Sequence, residues 1–299
     1  MKQDTTSNIF QNYYRLTKPG IIYGNLFTTI GGFVLGSYGH IHLGLALATF
    51  LGISLIIASA CVVNNYIDRN IDSKMERTQK RVSVTGSISV RNAMVFAIVL
   101  GVIGFGVLVV YTNSVTFVLG LIAYFVYVVW YGAEKRRSTL GTLVGSIAGA
   151  LPPVAGYTAV SGQIDLAAIS LFIILTVWQM PHFYAIAMYR LKDYKAAGLP
   201  VLPVVKGFKE TKIQIVLYVA AFFVSVGLLT FFGYTGYVYL VVMLVLGLWW
   251  LVKAIQGFNV IDDAQWARKL FFQSLIIITA LSVILPIDTL IKYGFSLVW

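Results

Sequence analysis

The sequence predicts an all-α, polytopic membrane protein with nine transmembrane helices. Three observations predict it. Hydrophobic residues make up 59% of the 299-residue chain and charged residues only 11%, against roughly 25% charged in a soluble domain. The apolar residues gather in segments close to the ~20 residues that a helix needs to cross a bilayer core. Finally, 21 of the 22 Lys and Arg residues fall on one side of the membrane if the chain starts inside. This composition excludes an ordinary soluble enzyme, a disordered chain and a coiled coil. A single cysteine, Cys61, excludes an intrachain disulfide and a cysteine-rich metal site. The net charge of +11 sits in short runs between apolar segments, so it reads as membrane topology and not as nucleic-acid binding.

The spans are read at about 21–39, 43–66, 92–111, 115–132, 139–160, 165–188, 213–233, 236–254 and 270–292. The gaps at Thr112–Ser114 and Gly233–Gly236 force antiparallel hairpins. With residues 1–18 as a cytoplasmic tail, basic residues fill every inside segment and only Lys292 lies outside, giving an N-in, C-out topology. The first 19 residues have no apolar core and no Arg-rich character, which predicts no cleaved leader and points to a bacterial cytoplasmic (inner) membrane. No linker divides residues 1–299, so one domain is expected. Two inside loops, about 67–91 and 189–212, are long where the outside loops are nearly absent, and loops of that length often hold function.

Eleven acids are present, and their placement carries the functional signal. Asn64, Asp68 and Asp72 stand at i, i+4, i+8, within about 80° of helical arc and about 6 Å apart along the axis. Carboxylates so placed repel each other, and an interfacial position adds a desolvation cost. A hard divalent cation such as Mg²⁺ relieves both, binding carboxylate and amide oxygens together with substrate phosphates. The alternative is a polar helix end with Asp68 and Asp72 paired to Arg69 or Lys74.

In the second loop, Trp178, His182, Tyr189 and Asp193 fall within about 60° of one helical face. If the helix runs through Pro181 to Asp193, His182 lies about 16 Å inward of the acid. His182 is the only histidine inside a predicted span. It reads either as a functional group or as an interior histidine bonded to a backbone carbonyl. Tyr189 reads equally as an interfacial aromatic, and Asp193 as a balance to Lys192 and Lys195. Arg77, Lys80, Arg81, Lys135, Arg136 and Lys192 flank the acids, and cations beside metal-binding carboxylates suit a diphosphate. His40 and His42 are expected in a solvated outside loop, as are Asp262 and Asp263. Gly101–Gly106 is expected to be a helix-packing face.

Asn64–Arg81 resembles the first Asp-rich signature of the UbiA-type intramembrane prenyltransferases, Asn-x-x-x-Asp-x-x-x-Asp followed by Met-x-Arg-Thr. Tyr189-x-x-x-Asp193 resembles the second. More narrowly, the Asn64–Asp68 segment, the Trp178–Phe183 block, Asp193–Gly198 with Pro200–Pro203, and Leu16–Gly20 resemble the branch that farnesylates protohaem IX. The sequence departs from many relatives at Gly141, where they carry Asn. The resemblance implies a nine-helix bundle around a central cavity, with both Asp motifs at a cytoplasmic mouth. It implies Mg²⁺ on Asn64, Asp68, Asp72 and Asp193, and farnesyl diphosphate with its tail in the apolar cavity. It also implies haem b as acceptor near Trp178 and His182, with haem O as product. Asp68, Asp72, Asp193, His182 and Tyr189 become the candidate catalytic residues, and Arg77, Lys80, Arg81, Lys135, Arg136 and Lys192 the diphosphate cations. The bilayer is the solvent, and a haem A synthase or a terminal oxidase becomes a candidate neighbour. A UbiA-type enzyme with an aromatic or quinone-precursor acceptor is the alternative. The rivals from other classes are a secondary transporter, whose polar groups lie at the midplane, and a haem scaffold that needs His182 but neither Asp motif.

Overall fold

The computed structural model describes residues 8–298. Lys2 and Asp4, and Trp299 at the other end, lie outside the described residues. Backbone groups in hydrocarbon have no water to bond, so each crossing segment closes its hydrogen bonds within itself as a helix. Among the described residues nine helices are long and apolar enough to cross: Pro19–Ser37, Leu43–Ile67, Val90–Tyr111, Ser114–Glu134, Gly141–Ser161, Leu166–Tyr189, Gly207–Phe231, Tyr237–Asn259 and Asp263–Tyr293. They are called the first to ninth spans below. A short helix, Ile9–Leu16, precedes them.

Side chains start several spans at the positions where backbone N–H groups lack helical partners. Ser89 accepts from Asn92 N (3.2 Å), Asn113 from Thr116 N (3.0 Å), and Asp165 from Ala167 N and Ala168 N (3.0 and 3.1 Å). Two spans begin earlier than their apolar runs, at Gly207 and Asp263 and not near 213 and 270. Their first turns carry charge that hydropathy reads as loop. Asp262 is exposed and outside the helix, as expected, and caps the ninth span through Gln265 N (3.0 Å); Asp263 instead begins the helix and pairs with Lys212 (2.5 Å). His40 and His42 are exposed, as expected, but their backbone is not a loop. They belong to a strand, β1 (His40–His42), which pairs in parallel with β2 (Ser296–Val298). His40 Nδ1 lies 2.6 Å from Ser296 Oγ.

The first span packs on the second, fifth and ninth; the fifth on the fourth and sixth; and the sixth on the seventh and ninth. The first and fifth spans cross backbone against backbone. A Cβ on Gly32 would stand 2.0 Å from Pro153 O, and one on Gly156 2.3 Å from Thr29 O, so only glycine permits this approach. Gly101 and Gly104 pack the third span against Ser59, Gly52 and Ile56 of the second, as helix-packing residues should. The first, second, fourth, fifth, sixth and ninth spans enclose a cavity of about 490 Å³; the third, seventh and eighth contribute nothing to its wall.

Candidate active site

The stripe of Asn64, Asp68 and Asp72 forms as the periodicity predicts. The second span ends at Ile67, but helical bonding continues through it. Asp68 N donates to Asn64 O (2.9 Å) and Asp72 N to Asp68 O (2.8 Å). Asp68 and Asp72 are 9% and 2% exposed, and such burial demands compensation. It comes not from Arg69 or Lys74 but from Lys135 and Arg136, distant in sequence, and from Arg81 farther along the same loop. Asp68 pairs with Lys135, and with Arg136 at 3.2 Å; Asp72 pairs with Arg81 at 2.7 Å. The Asn64 amide sits 3.0 Å from Asp68 Oδ2 and 3.1 Å from Lys135 Nζ when its nitrogen faces the acid; the reverse rotamer accepts from Lys18 Nζ at 3.3 Å.

Lys18 is a residue of this site that the sequence reading counted only as topology. It enters through a left-handed turn (φ 52°) before Pro19, which aims its ammonium inward. Desolvation lowers its pKa to about 8. Desolvation also lowers the pKa of Lys135, against the pull of the Asp68 carboxylate. Lys135 reaches the site because Gly141 lacks a side chain: a Cβ there would stand 2.5 Å from Lys135 Cα. The departure at Gly141 thus has a local function, letting the turn that carries Lys135 fold tightly onto the fifth span.

The second acid arrives differently from expectation. The sixth span does run through Pro181, but it stops at Tyr189; Arg190 (φ −107°, ψ 23°) breaks it, and a separate short helix, Leu191–Ala196, carries Asp193. The through-helix distance from His182 to Asp193 therefore does not apply. Asp193 Oδ1 accepts from Glu76 N (3.1 Å), binding the second loop to the first and not merely balancing Lys192 or Lys195. Met75, Ala197 and Leu199 are buried together beneath this bond, with Ile71 and Tyr194 packed on them. Burial raises the Tyr194 pKa, opposed chiefly by Arg77 nearby. Tyr189 is half-buried against Phe271 (5.7 Å) and under Arg190 (5.3 Å). Among the described residues Lys80 and Lys192 are exposed and within ion-pair reach of no carboxylate.

Beneath the docked loops the cavity runs inward, with Lys135, Ser138 and Tyr194 at its mouth and Thr28, Pro152 and Leu175 deep inside. From Gly141 to Pro152 the fifth span descends about 16 Å. Tyr124, Tyr127 and Tyr131 line one wall, and the Tyr127 and Tyr131 rings stack at 5.7 Å. Their i, i+3, i+7 spacing was the available signal. A π turn at Val126–Trp130 inserts an extra residue here, a distortion common at functional sites. Lys135 Nζ lies 4.7 Å from the Tyr131 ring. Trp178 and His182 line the opposite wall, their rings stacked at 5.0 Å and 26°.

The donor set fits a hard divalent cation: an amide oxygen and three carboxylates, carried by two loops that touch. Asp68 and Asp72 already hold basic partners, and among the described residues no three His, Cys, Asp or Glu side chains converge as a ready-made cage. A divalent metal held by these residues would have to displace Lys135 and Arg81 from Asp68 and Asp72, which would free those cations for an anion.

Residues 25–276 match the UbiA prenyltransferase family. The chain is 54% identical over 279 residues to protoheme IX farnesyltransferase 2 of Pseudomonas aeruginosa, covering 93% of this chain and 94% of that one. The fold is similar to that of a digeranylgeranylglyceryl phosphate synthase (TM-score 0.79, 16% identity, 94% of this chain and 98% of that one). It is also similar to a UbiA homologue from Archaeoglobus fulgidus bound to DMAPP and Mg²⁺ (TM-score 0.66, 18% identity, 92% and 98% covered). By the extent of the family match and by its identity to a relative across nearly the whole length of both chains, this protein belongs to the UbiA prenyltransferase family.

Proposed function

We propose that this chain transfers the farnesyl group of farnesyl diphosphate to a vinyl group of haem b, with addition of water, giving haem O and diphosphate. The observation that carries the reading is the 54% identity to a protoheme IX farnesyltransferase over 93% of the chain. The geometry supports it with an apolar cavity under two docked acidic loops. The whole chain acts as one domain in the bacterial inner membrane, N-terminus in and C-terminus out, with the mouth facing the cytoplasm.

Asn64, Asp68, Asp72 and Asp193 would hold Mg²⁺, the ion named with DMAPP in the Archaeoglobus fulgidus homologue. The bound metal supplies Lewis-acid stabilisation of the departing diphosphate. Lys135, Arg136 and Arg81, released from Asp68 and Asp72, turn to the diphosphate oxygens, and Lys18 completes the cationic rim. Arg77, Lys80 and Lys192 steer the anion from outside. The allylic carbon–oxygen bond breaks with its electron pair going to diphosphate. The vinyl π pair then forms the carbon–carbon bond. Water adds to the resulting cation and gives up a proton, which the released diphosphate can take, leaving a hydroxyl. The Tyr127 and Tyr131 rings exclude bulk water from the allylic cation and present their faces to it. Tyr189 closes the wall beside Phe271. Trp178 and His182 receive the haem. The product is too apolar to cross water, so a haem A synthase or a terminal oxidase takes it up through the bilayer or by contact.

The test is to extract haem from cells with and without the protein. A farnesylated, hydroxylated haem present only with the protein is expected. Its absence, with the protein inserted and both substrates available, overturns the reading. His182→Ala should lower haem O formation strongly and leave Mg²⁺-dependent farnesyl diphosphate binding intact. His182→Met, which ligates iron but takes no proton, recovers part of the activity if the histidine is an iron ligand and none if it is a base.

A further inference from the structure

His182 is neither free nor bonded to a backbone carbonyl. Its Nδ1 lies 2.7 Å from Ser274 Oγ of the ninth span. That hydroxyl has one proton, and it stands 2.6 Å from Phe271 O, which only accepts. With that proton on Phe271 O, the shorter of its two contacts, Ser274 Oγ offers lone pairs to the histidine and Nδ1 is the donor. In the neutral ring Nε2 is then a bare lone pair. Among the described residues nothing donates to Nε2, and His182 lines the cavity.

Ser274 also orients the surroundings. It is fully buried, and its carbonyl accepts from Trp178 Nε1 at 3.0 Å. Trp178 stacks on one side of the imidazole, and Phe271 packs at 4.9 Å. One residue of the ninth span thus fixes the proton, the ring plane and the aromatic neighbour of a histidine on the sixth. Metal-ligating histidines show this arrangement, with the far ring N–H given to an outer partner that fixes the tautomer.

We infer that Ser274 is a positioning residue that holds His182 with Nε2 presented to the cavity as the ligand for haem iron. This rests on the reading of haem b as acceptor.

The experiment titrates haemin into purified wild-type, S274A, S274C and H182A proteins without farnesyl diphosphate. Affinity and axial ligation are read from the Soret band and magnetic circular dichroism. Wild type should give a histidine-ligated spectrum and H182A should lose it. S274A should bind haem 10- to 100-fold more weakly, the usual cost of losing such an outer partner. S274C keeps the side-chain shape but has a poor acceptor, so it should weaken in the same direction even if S274A folds badly. Unchanged binding of farnesyl diphosphate with Mg²⁺ reports an intact fold in each. Wild-type haem affinity and spectrum in S274C, or a histidine-type spectrum persisting in H182A, overturns the inference. Wild-type protein that makes farnesylated haem in cells yet shows no histidine ligation overturns the inference alone. Cells that make none overturn the acceptor reading and this inference together.

Discussion

Replacing Asp68 by Asn removes one carboxylate charge and keeps the side-chain shape. The Asp68 and Lys135 side chains are 12% and 11% exposed, so the pair is largely withdrawn from water. Breaking a buried pair from one side leaves an uncompensated charge and costs about 3–5 kcal/mol. D68N should therefore lower the thermal midpoint in detergent as well as abolish turnover, and the loss of activity alone would be ambiguous. The double variant D68N/K135M separates the causes. It removes both charges of the buried pair and leaves only the exposed Arg136 without its carboxylate, so little uncompensated charge stays buried. Stability should return while turnover stays down by at least ~100-fold, about 3 kcal/mol of barrier, because a metal ligand and one of the diphosphate cations are missing. The assay is single-turnover release of diphosphate from farnesyl diphosphate, beside the melting curve. A double variant that regains near wild-type turnover would show that Asp68 only neutralises Lys135, and the metal-site reasoning would fail.

Asp72→Asn and Asp193→Asn should each lower turnover by a similar ~100-fold, and D193N should in addition loosen the two loops, read as faster proteolysis near Glu76. Near-normal activity in both would remove the acids from the chemistry. Chelation of divalent metal should abolish activity and weaken farnesyl diphosphate binding, with Mg²⁺ or Mn²⁺ restoring both; full activity after stripping would make the carboxylates structural. A tag before residue 8 should be reachable only from the cytoplasm and one at Trp299, which lies outside the described residues, only from the far side. Same-side tags would overturn the N-in, C-out topology.

Much of the architecture is legible without coordinates because the bilayer is an exacting solvent. Apolar length and the ban on unpaired backbone groups leave helices as the one economical solution for nine such segments. The Asn64–Asp68–Asp72 stripe is equally local, since the helical period alone puts the three on one face. Where the chain is charged but still helical, as at Gly207 and Asp263, hydropathy fails: interfacial turns satisfy their hydrogen bonds as helix while their charged side chains reach water or pair, as Lys212 does with Asp263. The break at Arg190 was hidden for the complementary reason, because a periodicity continues on paper through a turn that the backbone does not make.

What only the tertiary structure decided is which group meets which. Lys135 meets Asp68 across 67 residues, Ser274 meets His182 across 92, and Asp193 meets Glu76 across 117. The sequence by itself determined that buried acids needed cations and that a buried histidine needed a partner, because burying unpaired polar groups is costly. It listed 22 Lys and Arg as candidates and many hydroxyls. The choice among them depends on how helices cross, and crossings are set by close packing between distant segments, such as Gly32 against Pro153. That packing leaves no periodic trace along the chain, so the partners of the acids and of His182 became known only once the bundle was folded.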